Sequence, residues 1–304
     1  MKENKGLLLV LCTALISGVS IFINELGVKG INSSVFTGMK NFVVTVFLIS
    51  LILILKEWKV LLKLSRKDWL TLFIIGLVGG SIPFLLFFKG LQMTTGAEGA
   101  FIHKTLFVFV AIFALIFLKE KLHKGFIIGA FLLLVGNMLL LKISVPVFEK
   151  GDLLILLATL LWAVENTISK YALRTLSPRI VAFGRMFFGS LLIMLFLALT
   201  GQIHIIATLT FSQVSWILIT SAFLFVYVIT WYTGIKYARV SQATCVLALG
   251  APITSLLSLI FLRKVLDIKE ILGILLIALG VILVIDIAKV FTRLKLTKLA
   301  HVRT

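Results

Sequence analysis

The chain has 304 residues, of which 61% are hydrophobic and only 14% charged, with a mean hydropathy of +1.17; a soluble domain averages roughly a quarter charged residues. The apolar excess runs along the whole length, so the chain reads as an all-α polytopic membrane protein and not as a globular core. The net charge of +18 would suggest nucleic acid in a soluble protein, but the placement of the basic residues accounts for it through topology and anionic lipid, and nucleic acid is not needed.

Apolar runs of about 20 residues, the length that crosses ~30 Å of hydrocarbon, recur ten times. The predicted spans are 6–24, 34–55, 69–90, 96–118, 125–144, 151–171, 179–200, 214–235, 241–262 and 270–289. Lys5 ahead of the first span resembles a signal-peptide start, but the same pattern recurs inside the chain, which argues against that reading. With the N-terminus inside, and residues at span ends counted with the adjoining segment, 20 of the 30 Lys and Arg residues fall in inner segments, 6 in outer segments and 4 within spans. That asymmetry predicts both termini, including the basic tail "KVFTRLKLTKLAHVRT", on the cytoplasmic side of the plasma membrane. Cys12 and Cys245 fall inside spans and read as small core residues, with no metal site and no cofactor called for.

The chain is written twice. At a slide of 145, Gly6 meets Gly151, Leu15 meets Leu160, Asn32 meets Ser177 and Lys40 meets Arg185; past the third span the slide becomes 144, and Gly90 meets Gly234, "LKEKL" at 118–122 meets "LRKVL" at 262–266, and Gly136 meets Gly280. The repeats are expected over 1–145 and 146–304, as one structural unit. Each holds five spans, an odd number, so the second copy crosses the membrane in the opposite sense. Ten transmembrane helices in two inverted repeats are chiefly a transporter arrangement, in which two halves rock about a midplane site.

Several stretches resemble the EamA-type branch of the drug/metabolite transporter superfamily: "LLWAVEN" at 160–166, "SPRIVAFGR" at 177–185, "LALGAPITSLLSLIFL" at 247–262, and in the first half "FFKGLQ" and "FALIFLKEKL". The resemblance spans essentially the whole chain. It implies a carrier of small organic metabolites, often an exporter of amino acids or related solutes. The chain departs from the pattern at Val108, the counterpart of Pro252, at Lys264, the counterpart of Glu120, and at Glu165 in the polar position of the sixth span.

Ionisable residues inside spans mark candidate sites. On a helical wheel His103 and Lys104 share the Gly- and Ala-rich side of the fourth span, so they point into the protein; Glu98, a turn from the interface, can reach water. The counterparts of His103 and Lys104 are Leu247 and Ala248, so the scaffold does not demand them. Glu165, whose counterpart is Ser20, is a carboxylate that must be wet, paired or protonated; it can meet an amine, a proton, Lys104, or a nearby base such as Lys170 or Arg239. These residues and Tyr227 on the eighth span form the candidate solute site. Trp231, one turn from Tyr227, reads as part of an aromatic belt. Lys40 and Arg185, being equivalent, read as a structural basic pair, and Lys89 as an interface anchor. Pro83, in "GGSIP", and Pro252, in "GAP", place helix breaks in the third and ninth spans.

A membrane-embedded enzyme would want a metal cluster or paired catalytic residues, and a receptor or assembly factor would not need an inverted duplication; a carrier, not an enzyme, is the expectation. Its partners are a small-molecule solute and the lipid bilayer, with proton coupling and a homodimer left open.

Overall fold

The computed structural model describes residues 2–27, 30–143 and 149–285. Lys29, the expected repeat junction at 145/146 and the basic tail from 286 lie outside the described residues. Among those described, every regular element is helical. The first half runs α1 (Lys2–Gly27), α2 (Ser33–Ile54), a short α3 (Trp58–Leu61), α4 (Arg66–Ile75), a π-helical segment (Gly76–Ser81), α5 (Ile82–Leu91), α6 (Gly96–Lys104), α7 (Leu106–Phe117) and α8 (Lys124–Leu140). The second runs α9 (Lys150–Ala172), α10 (Pro178–Leu199), a 3₁₀ turn (Ile203–Thr208), α11 (Phe211–Tyr237), α12 (Val240–Leu247), α13 (Gly250–Leu262) and α14 (Ile268–Ile285). Nine helical stretches among the described residues are long and apolar enough to cross a membrane; α8, at 17 residues, is the tenth apolar helix.

Local chemistry sets the helix ends, and it repeats between the halves. The Asn32 side chain accepts from the amides of Ser34 and Val35, and Ser177, followed by Pro178, accepts from Ile180, so equivalent residues cap α2 and α10. Left-handed residues close helices at equivalent positions too: Lys56 and Gly201 after the second and seventh spans, Lys119 and Arg263 after the fourth and ninth.

The halves interlock as an inverted repeat requires. α1 packs on α11 and its counterpart α9 on α5, while α2 pairs with α10 and α8 with α14. Glycines allow the closest approaches: a Cβ on Gly6 would stand 2.9 Å from the Gly234 carbonyl, and one on Gly151 2.6 Å from the Gly90 carbonyl, which is the same contact in the other repeat. Large apolar side chains such as Ile54, Phe117, Leu199 and Phe261 stay on the outside, against lipid.

Links between segments sort by side. On the face that carries the N-terminus, Glu57 joins Arg179, Arg239 donates to the Lys121 carbonyl, and Lys170 donates to the carbonyls of Ile235 and Ala238. On the opposite face, Thr94 donates to Asp152, Asn32 to Gln202, and Lys142 pairs with Asp267 and Glu270. No link of these two sets crosses from one face to the other.

The fourth span differs from the sequence expectation. It is not one helix: α6 stops at Lys104, and Thr105, whose hydroxyl donates to the Ile102 carbonyl at 2.6 Å, separates it from α7. The ninth span breaks at the equivalent place, between Leu247 and Gly250. There Pro252 supplies the cause, because its ring clashes with the carbonyl four residues back, at Ala248. In the fourth span Val108 stands in its place, and a hydroxyl turned back onto the backbone marks the break instead.

Candidate functional site

The site is built around one backbone carbonyl. Pro83 lacks an amide hydrogen and its ring excludes a normal bond to residue 79, four positions back. The chain absorbs this with the π-helical turn at Gly76–Ser81, and such turns are frequent at functional sites. The Gly79 carbonyl is thereby free, and two side chains of the second half reach it: Trp162 Nε1 at 3.1 Å and Arg185 Nη2 at 3.2 Å. The neighbouring Gly80 carbonyl receives Asn41 Nδ2 at 2.9 Å. Absence of a side chain matters here, since a Cβ on Gly79 would lie 2.3 Å from Glu165 Cγ.

Glu165 lies against this turn, on the face of α9 that also carries Trp162 and Ser169. It is 1% exposed. Its Oε1 accepts from Ser169 Oγ and Tyr232 OH, each at 2.7 Å; among the described residues no donor reaches Oε2. Arg185 faces it, within electrostatic reach of Glu165, Tyr232 and Tyr227, and among the described residues its buried Nε has no partner. A buried polar atom left unmet costs about 1–3 kcal/mol unless something else satisfies it. A carboxyl and a guanidinium with an unmet Nε therefore lie near one another in the middle of the bundle.

His103 joins the group through an aromatic wall. Its ring centroid is 4.9 Å from that of Trp162 and 5.4 Å from that of Phe87, and Phe84 and Phe87 pack on Trp162 in turn. Lys104, half-buried, is the last residue of α6 and makes no ion pair or hydrogen bond among the described residues. A helix C-terminus carries partial negative charge, which favours a cation there.

The structure thus brings His103, Glu165, Arg185 and Pro83 around Gly79, with Tyr227 at the edge of the group, stacked 6.4 Å from Trp231. Trp231 is 2% exposed, so it is an interior residue and no belt residue. Lys40 and Arg185 do not behave alike: Lys40 lies over the Phe36 ring of its own helix, at 4.9 Å, while Arg185 crosses to the π-helical turn. Glu98 serves the start of α6, its Oε2 accepting from Thr94 and Thr95. Pro252 lies at the other helix break. Glu165 pairs with neither Lys170 nor Arg239, which bond backbone carbonyls, nor with Lys104. Tyr232, Ser169, Trp162 and Asn41 escaped the sequence reading; Trp162 and Ser169 were legible as the residues three before and four after Glu165. Among the described residues, no cluster of three or more His, Cys, Asp or Glu is placed to hold a metal ion.

A cavity of about 350 Å³ opens toward the face opposite the N-terminus. Asn32, Ser34, Phe88, Lys89, Gln92 and Gln202 line it. Phe88 packs on Phe84 and Phe87, so the aromatic wall leads from this cavity to Trp162 and His103.

The model of the EamA-like transporter family matches the chain twice, over residues 4–142 and 149–286. The chain belongs to the EamA-like transporter family. The two matches follow the two halves, and this membrane transporter works on a small-molecule solute in a lipid environment. It is similar to an uncharacterized transporter of Clostridium kluyveri, 25% identical over 251 residues, which are 78% of this chain and 80% of that protein. It is also similar to an uncharacterized transporter in the cobO 3' region of a Sinorhizobium species, 28% identical over 130 residues, 43% of this chain and 92% of that protein. A solved crystal structure superposes with a TM-score of 0.78 at 18% identity, covering 93% of this chain and 97% of that one, which shows the fold.

Proposed function

We propose that this EamA-family protein is a secondary carrier that moves a small zwitterionic metabolite, amino-acid-like in its charges, out of the cell by alternating access of its two inverted repeats. Both termini face the cytoplasm of the plasma membrane in this reading, which the 20-to-6 distribution of basic residues supports. The observation that carries the solute class is the unmatched pair in the core. Among the described residues no hydrogen bond reaches Glu165 Oε2, and the buried Arg185 Nε has no acceptor. An ammonium group meets the first and a carboxylate the second, so one zwitterion satisfies both.

The surrounding parts take roles by their chemistry. Tyr232 and Ser169 fix the Glu165 carboxyl by donating to its other oxygen. Lys104, at the end of a half-helix and without a hydrogen-bond or ion-pair partner among the described residues, supplies further positive potential for the carboxylate. Trp162, His103 and Phe87 form the apolar wall against which the solute's carbon skeleton lies. When the solute leaves, Glu165 takes a proton in its place, which couples the cycle to the proton gradient. The first half-helix of the broken fourth span brings His103 to the site, and broken helices flank the site in many carriers.

A flux screen in reconstituted vesicles tests this. Amino acids and other zwitterions, organic anions and organic cations are offered singly, with and without a pH gradient. Zwitterions are expected to be carried and the others not. Transport confined to singly charged or uncharged solutes would overturn the assignment of Glu165 and Arg185 as a matched pair of solute contacts.

A further inference from the structure

The two faces of the bundle are not in the same state, and the repeat shows where they differ. Slide the residues that line the cavity into the other half. Ser34 falls on Arg179 and Gln202 on Glu57 at a slide of 145; Phe88 falls on Tyr232, Lys89 on Thr233 and Gln92 on Lys236 at 144. Around the first set there is a cavity of about 350 Å³. The second set is closed. Tyr232 is fully buried, Lys236 donates to the Leu176 carbonyl at 3.2 Å, and Glu57 grips Arg179 through both carboxylate oxygens. On the cavity side Gln202, the counterpart of Glu57, makes instead a single exposed hydrogen bond, from Asn32, at 3.2 Å.

We infer that Glu57 and Arg179 latch the cytoplasmic end of the solute path, and that the cavity around Lys89 is the same path open on the other side. The inference rests on the alternating-access reading above. The geometry suits a latch. Glu57 follows the end of α2 in the first repeat and Arg179 begins α10 in the second, so the pair spans the two halves. Arg–carboxylate forks are geometrically demanding, so a small relative movement of the halves breaks both bonds together. The pair is partly exposed, with side-chain exposures of 35% and 21%, which keeps its strength modest and the latch openable. At the equivalent positions on the cavity side no ion pair forms among the described residues, because Ser34 and Gln202 carry no charge; the ion pairs of that face, Lys142 with Asp267 and Glu270, join the ends of α8 and α14 instead.

Thiol labelling tests the latch without any solute. Lys89→Cys and Thr233→Cys, equivalent positions, are placed singly in a chain whose Cys12 and Cys245 have been replaced. A membrane-impermeant maleimide is then applied to each face of sealed vesicles. With the latch intact, Lys89→Cys should react from the outer face several-fold faster than Thr233→Cys from the inner face. Glu57→Gln should raise the Thr233→Cys rate about two- to fivefold and lower the Lys89→Cys rate, the range a partly exposed pair supplies. Exchanging the charges, Glu57→Arg with Arg179→Glu, should restore both rates. Arg179→Gln serves as the second variant and must act as Glu57→Gln does. Unchanged rates in either folded variant, or a rise that the exchanged pair does not reverse, would overturn the latch. Failure of the zwitterion screen leaves these rates as predicted, and failure of the latch leaves the screen unaffected.

Discussion

Gly79→Ala is the smallest change that reaches the centre of the site. The added Cβ would stand 2.3 Å from Glu165 Cγ, 3.0 Å from Cδ and 3.2 Å from Cβ, where ordinary contact begins near 3.4 Å. About 1.1 Å must therefore be found, and neither side is free to yield it. Glu165 is held by two 2.7 Å bonds from Ser169 and Tyr232, and the Gly79 carbonyl is held by Trp162 and Arg185. Overpacking of this kind costs about 1–3 kcal/mol, which is roughly 5- to 150-fold in the folding equilibrium. Thermal unfolding of the purified protein measures it, with Gly96→Ala as control, because nothing lies within 4 Å of a Cβ there. A double-mutant cycle isolates the cause: in a Glu165→Ala background the cost of Gly79→Ala should largely vanish. An equal cost in both backgrounds, or no cost in either, would refute the argument that Glu165 is packed onto the π-helical turn.

Four basic or acidic groups give further tests. Arg185→Ala strips a guanidinium from beside a buried carboxylate and should cost roughly 3–5 kcal/mol of stability, whereas Lys40→Ala loses only the contact with Phe36, about 0.5–1 kcal/mol; unfolding measurements on both variants would show the contrast. Lys104→Ala should leave a monodisperse, folded protein whose solute flux in vesicles falls roughly ten- to a hundredfold, the range for losing a charge-assisted bond. The hydrogen bond from Arg179 holds the Glu57 carboxyl below its ordinary value of 4.5. Its stabilising contribution is therefore full above about pH 4.5 and fades as pH falls through the lowered value; the difference in unfolding between the parent and Glu57→Gln should shrink over that acid range.

The fold was legible because hydrocarbon thickness and backbone satisfaction leave few alternatives. Ten apolar runs, their caps at Asn32 and Ser177, and the two slides point to the spans and to the opposite sense of the two repeats. The break after Lys104 was not legible, because it carries neither proline nor glycine, and a wheel that assumes one continuous helix cannot show it. At the site, Pro83 marked a helix break, where the structure shows a freed carbonyl at Gly79, and Glu165 announced itself as a carboxylate in an apolar run. What received that carbonyl came from the other repeat, 83 and 106 residues away, where local spacing is silent. Repeat symmetry also misled at Arg185. Its equivalence to Lys40 suggested a shared scaffold, yet only the second repeat places a carboxylate, Glu165, where the first has Ser20, and so only Arg185 acquires an acidic neighbour.

The most direct test of the account is counterflow in vesicles preloaded with an amino acid, comparing the parent with Glu165→Gln. The substitution keeps the volume and the contacts with Ser169 and Tyr232 but removes the charge. The account predicts that the parent accumulates labelled amino acid against the preloaded pool, and that Glu165→Gln, folded and monodisperse, does not. Undiminished counterflow by Glu165→Gln would contradict the claim that this carboxylate holds the solute.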